Sequence, residues 1–136
     1  MAQWAEKTGT MTSSERLVSF SEQVLKPPGV ALPDWQILAR FGQAMGFSGF
    51  QFEDSGAVWD EFIGLTAGRP CDMAGMTSER LRRERHLRWP CPSVDHPGTE
   101  RLYLDRKFPT PNGRARFHAR LHRPPARPPT TSSRWS

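Results

Sequence analysis

Side chains able to do chemistry are few and scattered in this 136-residue sequence. Cys71 and Cys91 form no CxxC pair, and an iron–sulfur or structural zinc site needs about four ligands. His86 and His96 lie near them, but the Cys/His spacing matches no zinc pattern. The sequence therefore implies two reduced thiols and no metal site. His96 opens a His-Pro-Gly run that reads as a turn. Asp60 and Glu61 are adjacent, so on a helix they point to different faces and cannot work as an acid–base pair. No GxGxxG, GxxxxGKS/T or HExxH run is present, which removes nucleotide-loop and zincin readings. Trp35, Trp59 and Trp89 have the surfaces to stack bases, yet their helical or pre-proline settings assign them to packing. No residue is singled out as catalytic.

The elements that position these groups are legible only in part. Leu17, Val18 and Phe20 suit a short strand, and Lys26-Pro27-Pro28-Gly29 is a stop, because proline removes donors and fixes φ. Pro33 and Asp34 open the clearest helix. Trp35, Leu38, Phe41 and Met45 recur at steps of three and four, giving one apolar stripe, and Gly46 suits its left-handed end. A second helix is expected over 55–66, capped by Asp54 or Ser55, burying Val58, Trp59, Phe62, Ile63 and Thr66. A third is expected over 77–85, where Glu79, Arg80, Arg82, Arg83 and Glu84 form a solvated face around one apolar anchor, Leu81. Residues 87–99 read as an extended loop. Residues 101–118 read as a β-hairpin, with Arg101–Leu104 and Arg114–Phe117 flanking Asn112-Gly113. Pro109 and Pro111 shorten its first strand.

Composition limits what this set can bury. Leu, Ile, Val and Phe make up 25 of the 136 residues, below the roughly 20% floor for a chain with a full core. The five Trp and eight Phe still demand some core. A partial core follows, one that expects apolar partners it does not contain. The charge is uneven: residues 1–105 hold 11 Lys+Arg against 14 Asp+Glu, and residues 106–136 hold 8 basic residues and no acid. The basic residues of that tail alternate with proline and have no helical period, so nucleic-acid binding is not expected of it. No apolar run approaches the ~20 residues of a membrane helix. The opening residues lack the basic and apolar regions of a secretory signal. The expectation is a cytoplasmic protein that does not engage a membrane.

Three ordered blocks carry a family resemblance. The first is Glu6-Lys7-Thr8-Gly9-Thr10-Met11-Thr12-Ser13-Ser14-Glu15-Arg16, followed by Pro27-Pro28-Gly29 and Pro33-Asp34-Trp35. The second is Leu65-Thr66-Ala67-Gly68 with Asp72-Met73-Ala74-Gly75-Met76. The third runs from Trp89-Pro90-Cys91-Pro92 through Asp95-His96-Pro97-Gly98-Thr99 and Arg101-Leu102-Tyr103 to Thr110-Pro111-Asn112-Gly113-Arg114-Ala115-Arg116-Phe117. In this order they resemble the large subunits of molybdopterin-dependent oxidoreductases of the dimethyl sulfoxide reductase family, nearest the bacterial assimilatory nitrate reductases. Family members read E-x-x-G-T-x-T-N-x-E-R-R-V in the first block, so Ser13 stands in place of Asn and Leu17 in place of a second Arg.

The resemblance implies a parent enzyme that reduces nitrate to nitrite, holding molybdenum between two molybdopterin guanine dinucleotides and carrying one 4Fe–4S cluster. Thr12, Ser13, Glu15 and Arg16 are the implied cofactor-binding residues, with Arg16 as an anion-facing fork or, together with Glu15, as a brace of a buried loop. Residues 1–100 would be the end of the central domain, 101–118 the connection towards the dinucleotide-binding domain, and 119–136 an Arg/Pro-rich tail without a fold. The fold class expected is an α+β fragment: two or three helices plus a C-terminal β-hairpin, excised from an α/β oxidoreductase, with a disordered tail. Such a fragment is expected to bind no cofactor alone, to lack independent activity, to need the missing remainder of the parent enzyme as its partner, and to self-associate through uncovered apolar faces. The blocks stop abruptly at both ends, as in a frameshifted or degraded gene. Two other readings remain: a formate dehydrogenase-like large-subunit fragment, which shares the first block, and a small standalone interaction module with a basic tail.

Overall fold

The computed structural model describes residues 1–123. The chain divides into two compact units, Met1–Glu100 and Arg101–Ser136. The first unit contains three helices and one three-stranded antiparallel sheet, which makes it α+β. Its strands are β1 (Gly9–Thr12), β2 (Leu17–Ser21) and β3 (His86–Arg88), in that spatial order. Thr10 pairs with Phe20 and Thr12 with Val18, and Val18 pairs in turn with Leu87.

The strand expected at Leu17–Phe20 is therefore the centre of a sheet. β1 escapes sequence reading because Gly9-Thr10-Met11-Thr12 has no apolar alternation, and its residues are half-buried or exposed. β3 replaces the start of the loop expected from residue 87. Three residues are too short a run for a period of two to register.

α1 (Asp34–Ala44) follows Pro33 and ends before Gly46, whose φ of 83° reverses the chain. Its inward face is small: Ala39 and Gly42 are buried, and the Phe50 ring lies 2.9 Å from where a Cβ on Gly42 would stand. The stripe of Leu38, Phe41 and Met45 faces outward. α2 (Ser55–Gly64) is capped by Asp54, whose carboxylate accepts from the Ala57 N–H at 2.8 Å. Trp59 and Ile63 point into the core while Phe62 stays half-exposed. α3 (Ser78–Glu84) is capped by the Thr77 hydroxyl and anchored by the fully buried Leu81.

These elements share one core of Val18, Trp59, Ile63, Met73, Met76, Leu81, Leu87 and Cys91. Between α2 and α3 the backbone is held by buried polar groups rather than a ladder. The Asp72 carboxylate accepts from Gly68 and Ala74 N–H groups at 2.7 and 2.9 Å. The Thr66 hydroxyl donates to the Ile63 carbonyl and accepts from the Met73 N–H. The Trp59 indole donates to the Met76 carbonyl at 2.7 Å.

Arg80 corrects the expected solvated face of α3. It is 6% exposed, and its guanidinium donates to the carbonyls of Gly75, Ser93 and His96 at 3.0, 3.2 and 2.8 Å. Its Nε donates to the Glu84 carboxylate at 2.9 Å, one helical turn on. Hydrogen bonds from Arg80 and then Arg83 hold the Glu84 carboxyl below the usual carboxylate range.

The hairpin expected over 101–118 is absent, since no strand forms there. A local turn stands in its place: the Phe108 N–H donates to Gly113, and the Gly113 N–H donates to Thr110. Gly113 has the positive φ anticipated for it. Pro109 and Pro111 lack donors, and Tyr103 and Arg106 take left-handed backbone angles, so the flanking segments cannot stay extended. Tyr103 stacks on Phe108 with centroids 4.6 Å apart. Residues 119–123 carry no helix or strand; the rest of the expected unfolded tail lies outside the described residues.

Two outcomes follow from this packing. Gly75 runs against residue 93, and a Cβ there would fall within the Ser93 carbonyl group. Gly75→Ala is expected to lower stability by about 2 kcal/mol or more, read as a lower urea midpoint. The Glu84 effect is pH-dependent with a fixed sign: a depressed carboxyl contributes stability above its unfolded pKa and loses it as pH falls through the lowered folded value. The stability gap between the parent and Glu84→Gln is therefore constant above about pH 5 and closes below about pH 4, measurable by denaturation at a series of pH values.

Candidate functional site

Thr12, Ser13, Glu15 and Arg16 occupy the tip of the β1–β2 hairpin. Its closing bonds run from the Ser13 N–H to the Leu17 carbonyl at 2.8 Å and from the Arg16 N–H to the Ser13 carbonyl at 3.1 Å. The Ser13 hydroxyl accepts from the Glu15 N–H at 3.3 Å. Arg16 completes the turn with a φ of 66°, a left-handed backbone that is uncommon for a residue with a Cβ.

The tip presents two kinds of side chain. Thr12, Ser13 and Glu15 are exposed, while Arg16 is half-buried. The Arg16 guanidinium donates to the carbonyls of Trp89, Thr99 and Glu100, the latter two at 3.0 Å. It also lies over the Trp89 ring, 5.8 Å from the centroid. In return the Trp89 N–H donates to the Arg16 carbonyl. Glu15 reaches Arg88 at 3.7 Å. The guanidinium fork is thus turned onto backbone oxygens, and the outward surface of the tip carries hydroxyls and one carboxylate.

Beneath the tip, the segment 89–100 wraps around a buried thiol. Cys91 is fully buried, and its Sγ lies 3.4 Å from the His96 carbonyl. The Arg80 guanidinium approaches the same sulfur at 3.4 Å. Burial outweighs that neighbouring charge and pushes the Cys91 thiol up, so it stays protonated at neutral pH. The Nδ1 of His96 accepts from the Gly98 N–H at 3.0 Å, which makes this histidine a turn lock. Among the described residues no three His, Cys, Asp or Glu side chains gather to hold a metal. Cys71 and Cys91 are both free thiols.

Two shallow clefts flank the Lys7–Asp34 ion pair, whose charged atoms are 2.7 Å apart. One, of about 360 Å³, is lined by Trp4, Met11 and Ser21; the other, of about 370 Å³, by Trp35, Trp59 and Phe62. Neither contains a nucleophile beside a base. Among the described residues the tip and these clefts therefore offer bracing contacts and no proton-transfer pair.

The sequence pattern assigns Arg80 to the solvated face of α3, where the fold buries it. Thr77, Arg80, Leu81 and Glu84 share one helical face by their three- and four-residue steps. The phase that made Leu81 an anchor also placed Arg80 beside it. Glu84 at i+4 was the available signal of a held guanidinium.

Comparison with known proteins adds the family context. Residues 1–44 match the molybdopterin oxidoreductase family. The chain is 50% identical over 121 residues to a nitrate reductase of Synechocystis sp., covering 85% of this chain and 17% of that protein. It is 35% identical over 123 residues to the assimilatory nitrate reductase catalytic subunit of Bacillus subtilis, covering 90% of this chain and 17% of the subunit. It is 39% identical over 115 residues to the F420-dependent formate dehydrogenase 2 subunit alpha of Methanococcus maripaludis, covering 84% and 16%. The chain thus spans about one sixth of the length of these relatives. No helix among the described residues is long and apolar enough to cross a membrane.

A test of the bracing geometry is Arg16→Lys. An ammonium is a point donor and cannot reach three carbonyls as the planar fork does. The substitution is expected to cost about 1–3 kcal/mol and to speed amide hydrogen exchange at Trp89, Thr99 and Met73 by a common factor, read by NMR.

Proposed function

The chain is homologous to a segment of the molybdopterin oxidoreductases, and on that premise we propose that it supplies one wall of the pterin-cofactor site in an enzyme resembling assimilatory nitrate reductase. The observation carrying this reading is the β1–β2 tip, which lies inside the family match and exposes Thr12, Ser13 and Glu15 above a braced Arg16.

The residues fit one part of such a cofactor and not another. Three of the five N–H donors of Arg16 are taken up by backbone carbonyls, which ties its guanidinium to the protein rather than aiming it at a phosphate. Hydroxyls and a carboxylate are acceptors, and a pterin or guanine ring presents amine and ring N–H donors. Thr12, Ser13 and Glu15 are therefore assigned to the N–H edge of a heterocycle, and Arg16 to holding their turn in place. In the parent enzyme the group is read as molybdenum with two molybdopterin guanine dinucleotides, accompanied by a 4Fe–4S cluster. When bound, the metal centre supplies oxygen-atom transfer and two electrons, by which nitrate becomes nitrite. The chain's own contribution is orientation and exclusion of water, and it acts together with the remainder of such an enzyme. Residues 1–100 are read as central-domain sequence and 101–118 as the connection towards the dinucleotide-binding domain.

A formate dehydrogenase-like parent is the second reading, favoured by the Methanococcus relative. Substrate choice rests with the metal ligand and its neighbours, outside this segment.

The test is a chimera: the Synechocystis nitrate reductase with its matching segment replaced by this chain. Thr12→Ala with Glu15→Ala is expected to lower pterin content per polypeptide by about tenfold, the loss of two hydrogen-bonding side chains at about 1 kcal/mol or somewhat less each. Pterin content unchanged by the double substitution, or a soluble chimera without pterin, would overturn the assignment.

A further inference from the structure

A small polar recess opens where β1, α2 and α3 meet. Thr10 and Phe20 are cross-strand partners and project from one face of the sheet, the face on which Val18 is buried. Ser55 of α2 and Ser78 of α3 stand against them, and the exposed Arg82 completes the lining. The recess holds about 10 Å³, room for one water-sized group. Its donors are largely unspent. Among the described residues Arg82 makes no ion pair: Arg80 and Arg83 both hold Glu84, and Arg85 meets Glu22 at 3.6 Å. Arg82 instead lies over the Phe20 ring, 5.1 Å from its centroid, and Arg85 lies 5.2 Å from the same centroid. A ring attracts the charge of a guanidinium and leaves its in-plane N–H donors unused. Of the hydroxyls, that of Thr8 accepts from the Gln23 N–H and that of Ser78 donates to the Asp60 carboxylate, whereas those of Thr10 and Ser55 have no partner among the described residues.

We propose that this recess is a binding site for a phosphate-class oxyanion, free or carried as a phosphate monoester. Two guanidiniums gathered at one ring repel each other, and a dianion beside Arg82 relieves that repulsion, with Arg85 adding a second positive charge. One oxygen enters the recess and accepts from the Thr10 and Ser55 hydroxyls. The other oxygens lie outside it and take the Arg82 fork, whose planar donors match two oxygens of one phosphate. The carboxylates on α2 and at its cap do not compete for that fork. Asp54 accepts from the Ala57 N–H, and Asp60 accepts from the Ser78 N–H and hydroxyl. A space of this size admits an oxygen and excludes a heterocyclic ring. Its chemistry is also opposite to that of the hairpin tip: donors converge here, whereas acceptors face outward there. The inference therefore does not rest on the pterin reading above.

The experiment titrates the full 136-residue chain with inorganic phosphate at constant ionic strength and about pH 7.5, where phosphate is largely a dianion. NMR shifts of the Thr10 and Ser55 amides are expected to move and saturate together. Arg82→Gln is expected to weaken binding by about tenfold or more, the loss of a charged donor. Ser55→Ala, which leaves every charge in place, is expected to weaken it about fivefold, one neutral hydrogen bond's worth. Arg83→Gln, at an exposed residue outside the recess, is expected to leave it unchanged. Glycerol 3-phosphate separates the sources: tighter binding than inorganic phosphate assigns an ester, weaker binding assigns the free ion, and both outcomes support the site. Shifts that never saturate, equal weakening by Arg82→Gln and Arg83→Gln, as for an adventitious ion only, or nitrate binding as tightly as phosphate would each overturn the proposal.

Discussion

Two arginines hold the segment 89–100 where no backbone ladder can. Pro90, Pro92 and Pro97 deny it three donors, so it cannot continue β3 as a strand beyond Arg88. Its carbonyls still need partners. Arg16 takes those of Trp89, Thr99 and Glu100 from one side, and Arg80 takes those of Ser93 and His96 from the other. Hydrogen bonds to charged donors are worth about 1.5–3 kcal/mol where neutral ones give about 1. A guanidinium also spans several oxygens at once. These two side chains fix the segment's place together with the burial of Cys91 in the core and the packing of Trp89 against it.

Several local features depend on that arrangement. The left-handed backbone at Arg16 directs its side chain back across the hairpin instead of outward with Glu15. Such a conformation costs about 1–3 kcal/mol and persists where the surroundings fix it; the three carbonyl bonds do so. Arg80 closes the core at Cys91, bridging Gly75 to His96 over the buried sulfur. The Gly75 N–H donates to the Cys91 carbonyl, and the Cys91 N–H to the Asp72 carbonyl. The sheet, the 66–76 turns and the 89–100 segment thus form one unit. The β1–β2 hairpin tip is as rigid as its anchorage on Trp89 and Thr99.

The sequence showed this construction unevenly. All three helices were legible because caps and periodic apolar residues act locally: Pro33, Asp54 and Thr77 mark their starts, and Leu81 marks the buried side of the third. β2 was legible from Leu17, Val18 and Phe20. Its partners were not, because pairing is a long-range choice that Gly9–Thr12 and His86–Arg88 leave open. The Asn112-Gly113 turn formed, but turn chemistry cannot supply strands where Pro109 and Pro111 remove donors. The motif around Thr12–Arg16 was found by resemblance. Its internal division, with acceptors outward and the guanidinium inward, was not, since nothing local tells an arginine that faces an anion from one that faces carbonyls. Arg80 stayed hidden for the same reason.

The central claim is that Arg16 and Arg80 make the hairpin tip, the core and the 89–100 segment open together. Native-state hydrogen exchange of the Ser13, Met73, Cys91 and Thr99 amides, each hydrogen-bonded in the fold, tests it most directly. One shared opening free energy for all four is the result this structure requires. Fast, peptide-like exchange at Cys91 and Thr99 beside a protected Met73 would contradict it.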